Sequence, residues 1–286
     1  MRFALRLLSV SAFVFASISN AHAQTAGKNL ALDFRTTIVV QGTPDTGVVT
    51  GHAVGAGNKM RVDVKLQGSG PAVGMLASEG TVSMIVSDSG KTITYLDPKN
   101  SQYLTVRPTE MVAQAQQMGG MKMDFSATEA KVDNLGAGPK ILGHPTSHYR
   151  VVTGMTMKIS AMGQEQTVKI SSTTDTYYAT DINAELNPFA SLNGGDMANM
   201  FGTTNKDFAE KMKAAQAKLP KGTPLRAVSS STLIAQGQTR VTNSQAEVTS
   251  IQWVASDPKA FEVPSTYTAA PLPGMGGSGG GSIPPK

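Results

Sequence analysis

A chain of 286 residues without a single cysteine can form no disulfide, no zinc–thiolate site and no thiol nucleophile. Charged residues make up 16% of it, against about 25% in ordinary globular chains. The formal net charge is only +5, and Lys and Arg are scattered rather than massed, which excludes the electrostatic footprint of a nucleic-acid binder.

The chain opens with Arg2 and Arg6, then an uncharged and largely apolar run over residues 7–19, then Ala21-His22-Ala23, an A-x-A site. This order reads as a signal peptide over residues 1–23, removed after Ala23. The run is shorter than the roughly 20 residues needed to span a bilayer. No cysteine follows it to carry a lipid anchor, so a periplasmic or secreted location is expected.

Residues 32–40 alternate, with Leu32, Phe34, Ile38 and Val40 opposite Asp33, Arg35 and Thr37. Residues 47–53 read as a second strand, and Gly57-Asn58 as a turn. Residues 60–67 alternate most cleanly: Met60, Val62, Val64 and Leu66 oppose Arg61, Asp63, Lys65 and Gln67. Such patterning puts one face on a core and the other in water. Residues 81–108 then write a three-stranded meander. Ser87-Asp88-Ser89-Gly90 and Asp97-Pro98-Lys99-Asn100 supply its turns. The period changes over residues 109–118, where Met111, Ala115 and Met118 share a helical face ahead of Gly119-Gly120. Residues 125–135 are ambiguous and read as strand or extended chain.

Residues 149–162 and 167–180 form a long hairpin around Gly163, with Tyr149, Val151, Met155, Met157 and Ile159 on one side. Long ribbons of this kind suit curved or barrel-like sheets. Residues 204–219 make the best helix. Phe208, Met212, Ala215 and Leu219 form its stripe, Thr204 and Asp207 resemble a capping box, and Pro220 stops it. Strands follow over residues 225–235 and 240–255, with a short closing strand over 261–267. Residues 268–286, rich in Pro, Gly and Ser, are expected to be disordered. The expected fold is mainly β with a few helices: a strongly curved antiparallel sheet forming an unclosed barrel with a helical lid, one domain over residues 24–267.

Val86-Ser87-Asp88-Ser89-Gly90-Lys91, Tyr95-Leu96-Asp97-Pro98 and Tyr103, preceded by Gly57-Asn58-Lys59-Met60-Arg61-Val62-Asp63, resemble the outer-membrane lipoprotein carrier (lipoprotein-localisation factor) superfamily. They are most similar to a secreted bacterial branch known only as a domain of unknown function. Gly143-His144, His148-Tyr149 and Phe261-Glu262-Val263-Pro264 with Tyr267 share the likeness. It covers residues 30–267 and implies an unclosed barrel with a helical lid, a hydrophobic cavity and no catalysis. One departure stands out: the helix that the carriers place ahead of the first strand is replaced by residues 30–41, which read as strand.

Candidate chemistry is sparse. Methionine pairs at Met121/Met123, Met155/Met157 and Met197/Met200 offer soft thioethers suited to Cu(I). Met155 and Met157, however, share a face with Val151 and Ile159, as lining of a greasy cavity would. His144 and His148 are four residues apart, about 13 Å along an extended strand, too far for one metal ion. Gly276-Gly277-Ser278-Gly279-Gly280 matches a nucleophile-elbow pattern, but no strand precedes it and no helix follows. No catalytic residue, cofactor or metal is assigned.

The reading is a non-enzymatic carrier for a hydrophobic small molecule, a lipid or a lipoprotein, acting as a monomer. Its cavity would be lined by Phe34, Val62, Val64, Met84, Tyr95, Val151, Met155, Met157 and Trp253. Lys206, Lys211, Lys213 and Lys218 on the helix allow peripheral contact with an anionic membrane. A cell-envelope assembly module without ligand, and a Cu(I)-handling protein, are the alternatives.

Overall fold

The computed structural model describes residues 28–43, 46–67, 81–107, 110, 122–161, 164–184, 187–188 and 206–270. The expected leader over 1–23, the helix over 109–118 beyond residue 110, and the tail beyond residue 270 lie outside the described residues.

The chain is mainly β. Strands β1 (Lys28–Val40), β2 (Thr46–Ala56) and β3 (Lys59–Gln67) come first, then the meander β4 (Thr81–Ser87), β5 (Thr92–Asp97) and β6 (Gln102–Val106). Long ribbons follow: β7 (Lys122–Ile141), β8 (His144–Ala161) and β9 (Gln164–Asn183). Helix α1 (Lys206–Gln216) precedes β10 (Gly222–Ala235), β11 (Gln238–Ala255) and a two-residue β12 (Thr268–Ala269). All twelve belong to one sheet in the order β12-β6-β5-β4-β3-β2-β1-β11-β10-β9-β8-β7. The first and last strands of that order do not pair, so the sheet is not closed. Every ladder is antiparallel except that of β12 with β6.

Turn chemistry sets the register. At Leu142-Gly143 and at Gln236-Gly237, both central residues have positive φ. That geometry matches the right-handed twist of the strands it joins. In the β5–β6 turn, the Asp97 carboxylate accepts from the backbone N–H of Lys99 and Asn100 at 3.1 and 3.2 Å, and from the Asn100 side chain at 2.7 Å. The long-range closure is β1 against β11, which pair along their lengths from Lys28↔Ala255 to Val40↔Thr242. One register shift, between Asp33 and Phe34, interrupts them.

The segment over 125–135, read as strand or extended chain, is strand: it is the middle of β7, whose alternation is scrambled by three register breaks against β8. Ala127 and Gly136 have positive φ at two of them. The closing strand expected over 261–267 is not one. Pro258–Phe261 is a 3₁₀ turn capped by Asp257, and the strand comes later, at Thr268–Ala269, parallel to β6. Pro258 and Pro264 remove donors that a ladder would need. The helix expected over 204–219 spans Lys206–Gln216; Thr204 lies outside the described residues, and Asp207 reaches across to β7. Its carboxylate accepts from Thr128 Oγ1 and from Lys211 Nζ, both at 2.7 Å, while Lys211 also donates to the Thr128 carbonyl at 3.1 Å. The β7 bulge between Ser126 and Glu129 takes Thr128 out of the ladder, and the helix takes it up. No described helix is long and apolar enough to cross a membrane.

A candidate ligand face

Residues opposite each other in a β-ladder point to the same side. Following the register from strand to strand therefore assigns every position to one of two faces. One row reads Leu104–Tyr95–Met84–Val62–Ala53–Leu32–Ile251 across β6, β5, β4, β3, β2, β1 and β11. Another reads Val132–Val151–Thr174–Ser229–Ser244–Ile38 across β7, β8, β9, β10, β11 and β1. All nine sequence-predicted cavity residues fall on this one face.

The face is nearly free of charge. Among the residues paired in ladders, the charged side chains on it are Lys28, Asp97 and Arg240, each at or near a strand end. The opposite face carries Asp33, Arg35, His52, Arg61, Asp63, Lys65, Asp133, His148, Arg150, Asp175, Arg226 and Glu247.

The nine residues do not meet as one lining. Phe34 and Val62 are buried in a cluster with Ala53, Met60 and Val86, against which the half-buried Val64 and Met84 pack. Tyr95 stands opposite Met84, and its burial pushes its hydroxyl above the usual phenol range. Met157 is in a separate cluster near the hairpin tips with Val168 and Ala235. Met155 is half-buried opposite Ile170. Val151 lies between the clusters, within a band of hydroxyl residues. A third cluster, at the other end of the strands, joins Leu30, Leu32, Ile141, Ile182, Leu225 and Val248.

Trp253 is 44% exposed on the rim of a cavity of about 500 Å³, where Leu142 is exposed as well. Ile182 and Ile251 line the cavity, beside His144, Asp181 and Ser250. It opens where β10 begins, because β10–β11 pairing starts only at Arg226↔Glu247 and leaves the end of β11 unpartnered on that side.

Sequence reasoning missed the charged face as a structure in its own right. His52, His144 and His148 each meet an aspartate, Asp33 at 2.7 Å, Asp181 at 2.9 Å and Asp175 at 3.1 Å. These partners lie 19 to 37 residues away, and no local signal joins them. The Asp175 carboxylate also takes two bonds from Arg150, Nε to Oδ1 and Nη2 to Oδ2, both 2.9 Å. The Arg150 bond holds the Asp175 carboxyl below the usual carboxylate range. The His148 ring stacks on Tyr177 with centroids 4.4 Å apart. A bidentate pair of this kind ties β8 to β9. A cavity of about 620 Å³ lies on the same face, lined by Arg35, Thr37, Asn243, Gln245 and Glu247.

Among the described residues, no three His, Asp or Glu side chains gather as a metal set. Of the methionine pairs, Met121, Met197 and Met200 and the Met123 side chain lie outside what is described.

No protein-family model matches the chain. A search of curated proteins finds no relative either.

Proposed function

We propose that this chain is a non-enzymatic binding or carrier protein of the bacterial cell envelope, exported by its leader, which holds a hydrophobic or amphipathic ligand against the charge-free face. The one-sided distribution of charge carries this reading. A sheet that packs one face on a core keeps charge off that face, and the same exclusion of charge suits a face that shelters an acyl chain. The exposed Trp253 and Leu142, on the rim of a cavity that Ile182 and Ile251 line beside the His144–Asp181 pair, offer apolar surface next to polar groups, as sites for amphipathic ligands do. In this reading the sheet curls around the face and α1, bound to β7, contributes to a lid. The likeness to lipoprotein carriers fits the same picture. Sheltering about 15 methylenes at about 0.8 kcal/mol each gives about 12 kcal/mol before binding costs, enough for hold and release.

Native mass spectrometry after mild purification should show an adduct of lipid mass, and Nile red, an uncharged dye, should brighten with the native protein. Trp253→Ala should weaken the dye's binding. A native chain that neither carries a lipid nor brightens the dye removes the proposal.

The second reading, an assembly module without ligand, draws on how much of the face is already filled by the chain itself. Val62 is 2% and Met157 4% exposed. It predicts a dark dye with the folded protein.

A further inference from the structure

The sheet is parted at one place inside its own order. β11 pairs with β1 as far as Lys28↔Ala255, but its ladder with β10 starts only at Arg226↔Glu247. β10 departs there. Register shifts at Gly222/Thr223 and Pro224/Arg226 bend it against β9, and Pro224 has no N–H to offer. Residues 250–255 are therefore paired on the β1 side alone. In an antiparallel strand every second residue turns its N–H and C=O away from the paired neighbour. Among the described residues, no hydrogen bond reaches the main chain of 250–255 from the β10 side. After Ala255 the chain leaves for β3, on the far side of β1, where the Ala260 carbonyl accepts from Arg61.

Bare edges are ordinarily blunted with lysine, proline or a bulge. Residues 250–255 hold none of these. They read Ser-Ile-Gln-Trp-Val-Ala, carry no charge and pair with β1 without a register shift. The cavity of about 500 Å³ spans the gap beside them, with Ile251 and Trp253 on one wall and Leu142, His144, Asp181 and Ile182 on the other. The edge is two-sided in chemistry. Ile251 and Trp253 stand on the charge-free face, register partners of Leu32 and Leu30. Ser250 and Gln252 stand on the other face, where the Gln252 amide donates to Ser250 Oγ at 3.2 Å.

We infer that the open edge of β11 docks an extended segment of another polypeptide, which adds a strand to the sheet over residues 250–255. Apolar side chains of the segment lie toward Ile251 and Trp253, and hydroxyl or amide side chains toward Ser250 and Gln252. The occupant is a polypeptide rather than a lipid, because an extended main chain repeats donors and acceptors at the spacing of the edge, about 20 Å for six residues. A charged segment would meet no counter-charge within 250–255. The inference goes beyond the carrier reading and does not depend on it.

Trp253 is the only tryptophan of the chain, so its emission reports on this edge alone. The probe is an acetylated and amidated hexapeptide alternating valine and threonine, titrated into the full protein. Emission should move to shorter wavelength and saturate as the exposed ring is covered. Amides of residues 250–255 should exchange hydrogen more slowly, while those of β8 do not. The same peptide with two consecutive prolines at its centre loses one donor from each of its edges and should need about tenfold more to reach the same shift. Ile251→Lys, which guards the edge with a charge, should weaken the valine–threonine peptide about tenfold, with circular dichroism confirming that the variant is folded. The proline peptide makes the same test without altering the protein. Equal shifts by the two peptides, or no shift with either, overturn the inference. A shift that follows protein concentration alone, as the mass doubles, overturns it too and gives the edge to a second copy of this chain. Nile red brightening decides the carrier reading separately.

Discussion

The ring of Phe34 occupies the space in which a side chain on Gly51 would stand. An ideal Cβ at Gly51 would meet Phe34 Cζ and Cε1, the latter at 2.7 Å, and the Asp63 carbonyl at 3.0 Å. The two residues are register partners in β1 and β2, and the glycine lets the ring lie flat across the neighbouring strand. Gly51→Ala must push a buried ring off its rotamer or force the paired strands apart. It should cost about 1–3 kcal/mol, read from the urea midpoint. Gly154→Ala is the contrast, since the nearest atom to its Cβ is a side-chain carbon at 3.7 Å, an ordinary contact. It should be neutral or slightly stabilising, and equal losses at the two sites would refute the account.

Leu32 is fully buried in the cluster that joins β1, β9, β10 and β11. Leu32→Ala should destabilise by about 2–5 kcal/mol, because the surrounding strands are hydrogen-bonded and cannot collapse into the void. A loss below about 1 kcal/mol in the same denaturation series would mean that this end of the sheet is loosely packed.

Asp175 gives the charged face a pH dependence. Its carboxyl titrates below the unfolded value of about 3.9, chiefly because of the Arg150 bond. Its contribution is therefore complete above that value and lost as pH falls through the lower native one. Asp175→Asn should lower the melting temperature at neutral pH, and the gap to the parent should close in acid. A gap that stays constant down to pH 2 would show that the charge of Asp175 contributes nothing.

After β11, residues 256–270 return along the charged face to reach β6. Phe261 is buried, the Ala260 carbonyl accepts from Arg61 Nη1 at 3.3 Å, and Arg61 is itself fixed by Asp63. Past this anchor, the Thr268 and Ala270 amides bond to the Ser101 and Tyr103 carbonyls. Phe261→Ala should release the return, so that the Thr268 and Ala270 amides exchange hydrogen faster while those of β8 and β9 do not. Unchanged exchange at both amides would mean that β12 needs no anchor upstream.

Alternation along single strands is enough to place the apolar and polar faces, because the side-chain period of a strand is a local property. That is why residues as distant as Tyr95 and Trp253 can be put on one face without any knowledge of pairing. Pairing itself is not legible. Nothing near Leu32 names Ile251 as its partner, and the Asp175–His148–Arg150 cluster exists only once β8 meets β9. β7 is obscure for a different reason: each bulge resets the alternation, so an average over the segment cancels. The closing segment misleads because Phe261, Val263 and Tyr267 alternate as a strand does, while the prolines beside them hold the chain in turns.

The irregularity of β7 has a consequence beyond its own ladder. As the border of an open sheet, this strand is twenty residues long, enough to template another molecule edge to edge. Its breaks at Ser126/Glu129, Asn134/Gly136 and Gly138/Ile141 leave no regular run longer than the six residues 129–134 for an incoming strand to copy. The kinks that hide β7 in the sequence thus work against fibre growth from the rim.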